Sequence, residues 1–345
     1  MKKDNPFTLT FGKQPLEYIT RYDNINTIIS TFTADNPVSQ SYLIEGIRGS
    51  GKTVLMTSVA NELRDDEWVV LDLNSTHDLL NDLALRIEQE YKRLPDLFKT
   101  GFNISVAGFG VGVNGNPDTS NPISIIDDYL SFFKKKKKKV LITIDEAMPN
   151  DNMRHFASEF QLYIRKDYPV YLLMTGLYEN IDAIQNDPAL TFLLRSPKIN
   201  LEPLSIHQII KQYKKVFDIT EEMAVMLADT TKGYAFAFQA LGMLYYEYRD
   251  EMMVDDIILK LDDLLDDFVY KKIWSSLSEI DKNVVRVLSE DKVKVSEICS
   301  ELNMQSSTFS KYRERLAKKG ILDVSQHGYV SLALPRFSVV IRSYS

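Results

Sequence analysis

The chain has 345 residues, of which 44% are hydrophobic and 26% charged, a composition typical of globular domains and not of a disordered chain. Its single cysteine excludes an intramolecular disulfide, and its four scattered histidines do not favour a zinc or other metal centre. The average net charge of −7 argues against a nucleic-acid partner, and the lack of an apolar signal core or membrane-length run predicts a cytoplasmic protein with no membrane partner.

Residues 40–205 alternate between short apolar runs and amphipathic segments. The apolar runs predict buried parallel strands at 41–45, 68–73, 140–145, 170–175 and 198–201. The amphipathic segments predict helices at 52–64, 77–91, 122–133 and 152–166. This alternation is typical of an α/β fold with a parallel five-stranded sheet flanked by helices. An insert at 102–114, where apolar residues alternate around paired glycines, predicts a hairpin.

A phosphate-binding loop is predicted between the first strand and the first helix of this pattern. Residues 46–53 read Gly-Ile-Arg-Gly-Ser-Gly-Lys-Thr and match G-x-x-x-x-G-K-[ST]. The glycines let successive N–H groups point at the β-phosphate, Lys52 reaches the β- and γ-phosphates, and the Thr53 hydroxyl coordinates Mg²⁺. The nucleotide-binding residues predicted in this loop are Gly46, Arg48, Gly49, Ser50, Gly51, Lys52, Thr53 and Val54.

Further polar side chains follow the later strands, and they predict the catalytic half of the site. Asp145 ends a buried strand and can hold Mg²⁺ through water, so Thr53 and Asp145 are the predicted metal ligands, while Glu146 can polarise an attacking water. Thr175 ends the next strand, where it either contacts the γ-phosphate and orients that water or only terminates the strand. Arg195 precedes the fifth strand and is either an arginine finger toward a neighbouring subunit's nucleotide or part of a surface salt bridge.

Strand signals stop near residue 205, and residues 205–270 predict a helical segment whose acid-rich part at 247–267 forms a solvated face. Residues 271–345 contain 13 Lys or Arg and 8 Asp or Glu, a net charge of +5, whereas the first 270 residues carry −12. This last segment can therefore bind a polyanion although the whole chain is acidic. The six lysines at 134–139 predict either a solvated loop or a second phosphate-binding patch that follows a DNA backbone.

The carboxyl-terminal segment predicts a winged helix. Its helices at 278–289, 295–302 and 306–319 are followed by strands at 321–324 and 329–334, and Gly320 ends the third helix. That third helix is the second helix of a helix-turn-helix, the one that lies in the major groove. The predicted DNA-binding residues are Ser307, Thr308, Ser310, Lys311 and Arg313. The alternative is that this segment contacts a protein or acts as a regulatory lid.

Together the phosphate loop, the Asp145-Glu146 pair, the polar strand end at Thr175, Arg195, the helical segment and the winged helix resemble the AAA+ ATPases. More narrowly, they resemble the branch shared by initiator-type (origin-recognition-like) ATPases and STAND ATPases. The resemblance implies ATP or ADP and Mg²⁺ as ligands. It also implies a P-loop core at 1–204 with a leader at 1–38, a helical lid at 205–270 and a winged-helix domain at 271–345.

Two local features resemble this branch as well. The leader before the phosphate loop implies that backbone and apolar side chains near Ile19 cradle the adenine, and the insert at 102–114 resembles a hairpin of these ATPases. Lys232-Gly233-Tyr234-Ala235 resembles their lid motif of glycine, any residue and proline, with Ala235 in the place of the proline. No sensor arginine is evident in the lid.

The expected function is Mg²⁺-dependent ATP binding and hydrolysis that drives a conformational or assembly switch, coupled to double-stranded DNA through the winged helix. The alternative is a STAND-like nucleotide switch that regulates an unknown protein partner without binding DNA. An arginine finger would in addition imply a nucleotide-dependent homo-oligomer. An exposed second helix of the helix-turn-helix favours the DNA-coupled function, and a buried one favours the switch.

Overall fold

The computed structural model describes residues 4–10, 15–65, 67–93, 121–289 and 291–344. The chain divides into two compact units, one of residues 21–45 and 55–200 and the other of residues 1–20, 46–54 and 201–345. The hairpin predicted at 102–114 lies outside the described residues. Among the helices that are described, none combines the length and the apolarity that crossing a bilayer requires.

The first unit, called here the sheet unit, is built on five parallel strands in the order β2-β3-β4-β1-β5. The strands are β1 Ser41–Glu45, β2 Trp68–Asn74, β3 Lys139–Asp145, β4 Val170–Gly176 and β5 Lys198–Asn200. The helices of this part of the chain are α1 Tyr22–Thr33, α2 Lys52–Glu62, α3 Leu79–Arg93, α4 Pro122–Lys135, α5 Asp151–Arg165 and α6 Tyr178–Gln185, followed by a 3₁₀ helix at Pro188–Arg195. The predicted sheet is confirmed.

Burial explains why the strand prediction succeeded. Strands β1 and β4 are buried along their whole length, so residues 42–44 and 170–174 form apolar runs instead of alternating. Aromatic side chains of α4 and α5 complete the core of the sheet unit, among them Phe132, Phe133, Phe156 and Phe160. The helical spacing of such residues is the signal that predicted these helices.

Helix α1 lies within residues 1–38, for which only a leader is predicted. Its buried residues Ile25, Ile28 and Phe32 lie three and four positions apart and therefore share one helix face. The Phe32 ring packs 5.0 Å from that of Tyr171 on β4. This apolar stripe is the signal that would have identified the helix.

The six lysines at 134–139 end helix α4 and begin strand β3. Lys134 donates through Nζ to the carbonyl that follows α5, at 3.0 Å. Lys139 donates through Nζ to the Phe32 carbonyl at 3.2 Å and lies 5.3 Å from the centroid of the Trp68 ring. Lys134 and Lys139, at the two ends of the run, thus hydrogen-bond to neighbouring elements of the sheet unit, at the end of α5 and in α1.

The second unit, called here the lid unit, contains the first residues of the chain, residues 46–54 and everything after residue 200. Its first helices are α7 Ile206–Phe217, α8 Glu221–Thr231, α9 Ala235–Tyr248, α10 Val254–Leu265 and α11 Lys271–Ser275, with a π-helical turn at Asp266–Tyr270. Phe7 from the amino-terminal residues is buried among the rings of this unit, 5.6 Å from Phe217 and from Phe238.

The last part of the lid unit consists of α12 Glu279–Arg286, β6 Val293–Lys294, α13 Val295–Glu301, α14 Ser306–Lys318, β7 Leu322–Asp323, β8 Tyr329–Leu332 and α15 Phe337–Ile341. The strands form an antiparallel sheet in the order β6-β8-β7. Ser278 and Asp281 form a capping box that begins α12. The two-residue β6 and the short α15 were not predicted, since neither is long enough to show a periodicity.

Candidate functional site

The predicted phosphate-binding loop belongs to the lid unit. Gly49 and Gly51 have φ angles of 75° and 93°, a region that glycine adopts without strain. The Nζ atom of Lys52 donates to the carbonyls of Gly46 (3.0 Å) and Ile47 (2.9 Å) and so ties the loop together. Helix α2 begins at Lys52, so the positive end of its dipole follows the loop directly. This geometry fits a phosphate group.

Two residues at the start of α9, which the sequence analysis did not assign to the site, hold the backbone of this loop. The Tyr234 hydroxyl donates to the Arg48 carbonyl at 2.6 Å, and the Phe236 N–H donates to the Gly49 carbonyl at 3.0 Å. A Cβ atom on Gly49 would lie 2.3 Å from the Tyr234 hydroxyl, so only glycine fits there. Burial raises the pKa of Tyr234, which keeps the hydroxyl protonated as a donor. The lid motif at 232–235 was the sequence signal nearest to this contact.

The amino-terminal residues contact α9, the helix that begins at Ala235. The Gln239 side chain accepts from the Thr8 N–H (3.2 Å) and donates to the Glu17 carbonyl (2.7 Å). Ile19, the residue predicted near the adenine, is half-buried and packs against the apolar core of the lid unit. Gln239 therefore fixes the chain on both sides of the segment that leads to Ile19, and it is another residue that the sequence analysis did not identify.

In the sheet unit, Asp145, Glu146 and Thr175 are brought together at the ends of β3 and β4. The hydroxyl of the fully buried Thr175 donates to an Asp145 carboxylate oxygen. The Glu146 N–H donates to the same Asp145 oxygen at 3.1 Å and to Thr175 Oγ1 at 3.3 Å. Thr175 thus orients Asp145 in addition to ending a strand.

The backbone of Glu146 is strained. Its φ of 52° lies in the left-handed region, which costs a residue other than glycine about 1–3 kcal/mol. The N–H bonds to Asp145 and Thr175 hold this conformation, and the Glu146 side chain is exposed.

Two other charged residues of the sheet unit lie near these strands. Arg195 ends the 3₁₀ helix with its side chain exposed, and it forms no ion pair with any residue that the structure describes. Glu45, the residue before the phosphate loop, is buried, with a carboxylate oxygen 3.7 Å from Lys198 Nζ. Burial, with a smaller contribution from Asp182, raises the pKa of Glu45, and the Lys198 ammonium opposes that shift.

The two predicted Mg²⁺ donors have the chemistry that this ion requires. Mg²⁺ prefers hard oxygen ligands, and the Thr53 hydroxyl and the Asp145 carboxylate are each of that type. The hydroxyl of Thr175 fixes the direction of that carboxylate, as outer hydrogen bonds do for metal ligands. Packing within the loop requires glycine at position 46, because a Cβ there would lie 2.7 Å from Ser50 Oγ.

The predicted DNA-binding residues lie on α14. Ser307, Thr308, Ser310 and Lys311 are exposed and Arg313 is half-buried, while Phe309 and Leu316 are fully buried in the core. Lys311 and Arg313 form no ion pair with the described residues. The helix therefore turns its apolar residues inward and presents a polar, basic face to solvent.

Gly233 offers a test of the backbone that carries Tyr234. Its φ is +74°, and a Cβ there would lie 2.5 Å from the Leu204 carbonyl oxygen. We expect Gly233→Ala to lower the free energy of unfolding by about 2–4 kcal/mol, measured by urea denaturation. The matched control is Gly328→Ala. Gly328 has a φ of +79° and no neighbouring atom within 4 Å of an added Cβ, so the left-handed conformation alone should lower the free energy of unfolding by about 1–2 kcal/mol. Equal losses in the two variants would contradict the steric argument.

The comparisons with known proteins agree with this description. Residues 267–339 match a family described as "Domain of unknown function (DUF8462)", and no curated protein matches the chain significantly. The Walker-type ATPase PABY2304 of Pyrococcus abyssi is similar in structure, with a TM-score of 0.64, 14% identity, and 94% of this chain and 95% of that chain covered.

Two further solved structures are similar. The Aeropyrum pernix ORC2 protein, in its ADPNP–ADP complexes, has a TM-score of 0.54 and 14% identity, with 93% and 91% of the two chains covered. Cdc6p of Pyrobaculum aerophilum has a TM-score of 0.51 and 15% identity, with 97% and 96% covered. The chain has the fold of a P-loop ATPase. More narrowly, it has the fold of the initiator-type AAA+ ATPases, as the resemblance predicted.

Proposed function

We propose that the protein binds ATP with Mg²⁺ and hydrolyses it, and that the bound nucleotide controls a conformational or assembly switch. The observation that carries the proposal is the phosphate loop, with left-handed Gly49 and Gly51 and with Lys52 tied to two loop carbonyls. Left-handed glycines at these positions let the backbone N–H groups of such a loop turn toward a phosphate. The similar ATPase structures support the same class of ligand.

Each residue has one task in this proposal. Lys52 and the loop N–H groups bind the phosphates, and residues near Ile19 hold the adenine. Thr53 and Asp145 hold Mg²⁺, which when bound neutralises charge on the phosphates. Glu146 positions and polarises the attacking water.

Thr175 and Arg195 complete the assignment. Thr175 keeps the Asp145 carboxylate in one orientation through its hydroxyl. Arg195 is exposed at the end of its 3₁₀ helix, where it is accessible to the nucleotide of another copy of the chain. We therefore extend the proposal to a nucleotide-dependent homo-oligomer in which Arg195 acts as an arginine finger.

We further propose that residues 271–345 form a winged helix that couples the switch to double-stranded DNA. The order helix, strand, two helices, two strands supports a winged helix. The exposed Ser307, Thr308, Ser310 and Lys311 of α14 favour DNA over a helix covered by the rest of the chain. The net charge of +5 in this segment agrees with a polyanionic ligand.

A second candidate function, a nucleotide switch that acts on a protein partner, is favoured by the packing of this segment on the helical lid. Arg336 donates through Nη2 to an Asp262 carboxylate oxygen at 2.6 Å, and Lys232 donates through Nζ to the Leu332 carbonyl at 3.1 Å. Contacts of this kind allow the carboxyl-terminal segment to act as a regulatory element of the ATPase. A DNA-binding experiment separates the two candidates.

Alanine substitution of Lys311 and Arg313 together should weaken binding to duplex DNA about tenfold or more at low salt, because each cation neutralises a phosphate. The salt dependence should also become weaker: the magnitude of the slope of log affinity against log salt should decrease by about two. Fluorescence anisotropy with a labelled duplex, at several salt concentrations and with and without ATP, measures both quantities. Lys211→Ala, which removes an exposed lysine of α7, is the control. A wild-type protein that binds no duplex at low salt, with or without ATP, would overturn the DNA-coupled function.

A further inference from the structure

The phosphate loop contacts the end of the helix proposed for DNA binding. Gly320 follows α14 with a φ of +72° and ends that helix. A Cβ on Gly320 would lie 3.3 Å from the Ile47 Cβ, so the Ile47 side chain packs directly against this glycine. Ile47 is the second residue of the loop, and its carbonyl accepts from Lys52. Ile47 is therefore part of the phosphate loop and also contacts the end of α14.

A second connection runs through the start of α9. Lys232 donates to the Leu332 carbonyl on β8 at 3.1 Å. Two residues later, the Tyr234 hydroxyl donates to the Arg48 carbonyl in the loop at 2.6 Å. Between them, the Gly233 carbonyl accepts from the Leu204 N–H at 2.8 Å, which fixes this short segment on the lid. Residues 232–236 therefore join the loop to the carboxyl-terminal sheet through hydrogen bonds to backbone carbonyls.

These contacts leave the loop little freedom to move alone. The Arg48–Gly49 and Gly49–Ser50 peptide units have their carbonyls held by Tyr234 and Phe236, and the Ser50 N–H donates to the Ile47 carbonyl at 3.2 Å. A rotation of either peptide toward phosphate must move its carbonyl and so disturb a bond to α9. A shift of Ile47 must likewise move the side chain that rests on Gly320.

Resting on the function proposed above, we propose that Ile47 and residues 232–236 transmit nucleotide binding from the phosphate loop to the end of α14. Gly320 and Tyr234 are then positioning residues that act on nucleotide affinity through the backbone of the loop. Because linkage is reciprocal, any ligand that displaces α14 changes nucleotide affinity by the same factor as the nucleotide changes that ligand's affinity.

The test uses the full chain and a non-hydrolysable ATP analogue with Mg²⁺, with affinity measured by calorimetry. Gly320→Asn crowds Ile47, while asparagine tolerates the left-handed conformation better than other side chains do. We expect it to lower analogue affinity about fivefold or more, the lower range of allosteric couplings. Gly328→Asn, with φ +79° and open space around it, is the matched control and should stay within about twofold of wild type.

A second measurement keeps the proposal testable if Gly320→Asn folds poorly. In the wild-type chain, the analogue should slow amide hydrogen exchange at residues 46–54 and also change it at residues 316–322. In Ile47→Ala the change at 316–322 should be lost, whereas Ile280→Ala, an exposed isoleucine of α12, should retain it. Protection at 46–54 with no change at 316–322 in the wild type overturns the inference and leaves the proposed function intact. No protection at 46–54 refutes nucleotide binding itself, and the inference with it.

Discussion

Glu146→Gln is expected to bind ATP with unchanged affinity and to hydrolyse it about 100-fold or more slowly than wild type, the usual contribution of a general base. The amide keeps the size of the carboxylate and cannot accept the proton of the attacking water. The left-handed backbone of Glu146, held by its N–H bonds to Asp145 and Thr175, should remain, because the side chain takes no part in those bonds. Phosphate release at saturating ATP and calorimetry with ATP measure the two effects separately.

The matched control for this prediction is Glu62→Gln, which changes an exposed glutamate at the end of α2 and should hydrolyse ATP at the wild-type rate. Thermal unfolding of both variants shows whether the fold is retained. A Glu146→Gln protein that turns over normally would remove Glu146 from the catalytic assignment. A variant that loses ATP binding together with turnover would give Glu146 a role in holding the nucleotide instead.

Lys52→Ala should abolish nucleotide binding at ordinary concentrations. Each charge-assisted hydrogen bond from the ammonium to a phosphate contributes about 1.5–3 kcal/mol, so the loss of two raises the dissociation constant roughly 10²–10⁴-fold. The substitution also removes the bonds from Nζ to the Gly46 and Ile47 carbonyls, which tie the loop together. Calorimetry with ATP and with ADP measures the loss for both nucleotides.

Lys211→Ala is the matched control, because it removes an exposed lysine of α7 in the same unit and leaves the loop intact. It should bind both nucleotides as tightly as wild type does. If Lys52→Ala retained wild-type affinity in a folded protein, the residues at 46–53 would not be a nucleotide site. The proposed function would then be wrong at its first step.

Much of the fold was predictable because its signals are local. The five strands lie within one residue of their predicted ends. Strands β1, β3 and β4 are buried on both faces and therefore carry apolar runs, whereas Lys198 and Asn200 of β5 are exposed. The helix α14 likewise follows from apolar Phe309 and Leu316 among polar neighbours and from Gly320 at its end. Helix α1 carries the same kind of stripe, Ile25, Ile28 and Phe32, inside the segment predicted as a leader.

The site was predictable to the extent that it consists of motifs. The phosphate loop and the Asp145-Glu146 pair are short, contiguous and placed after strands, so their residue types could be assigned to a chemistry from sequence. The role of Thr175 was left open, because a threonine at a strand end has no distinctive local signal. The register that places β4 beside β3 brings its hydroxyl to Asp145.

The sequence by itself determined the class of the fold, the phosphate loop and the amphipathic face of α14, since each depends on residues within a few positions of one another. The tertiary structure alone decided which side chains support that loop. Tyr234 and Arg48 are 186 positions apart in the sequence, and the separation between Ile47 and Gly320 is larger still. Neither contact produces a periodicity or a motif in the sequence. Each depends on how helices pack together and bring two distant stretches of backbone into contact.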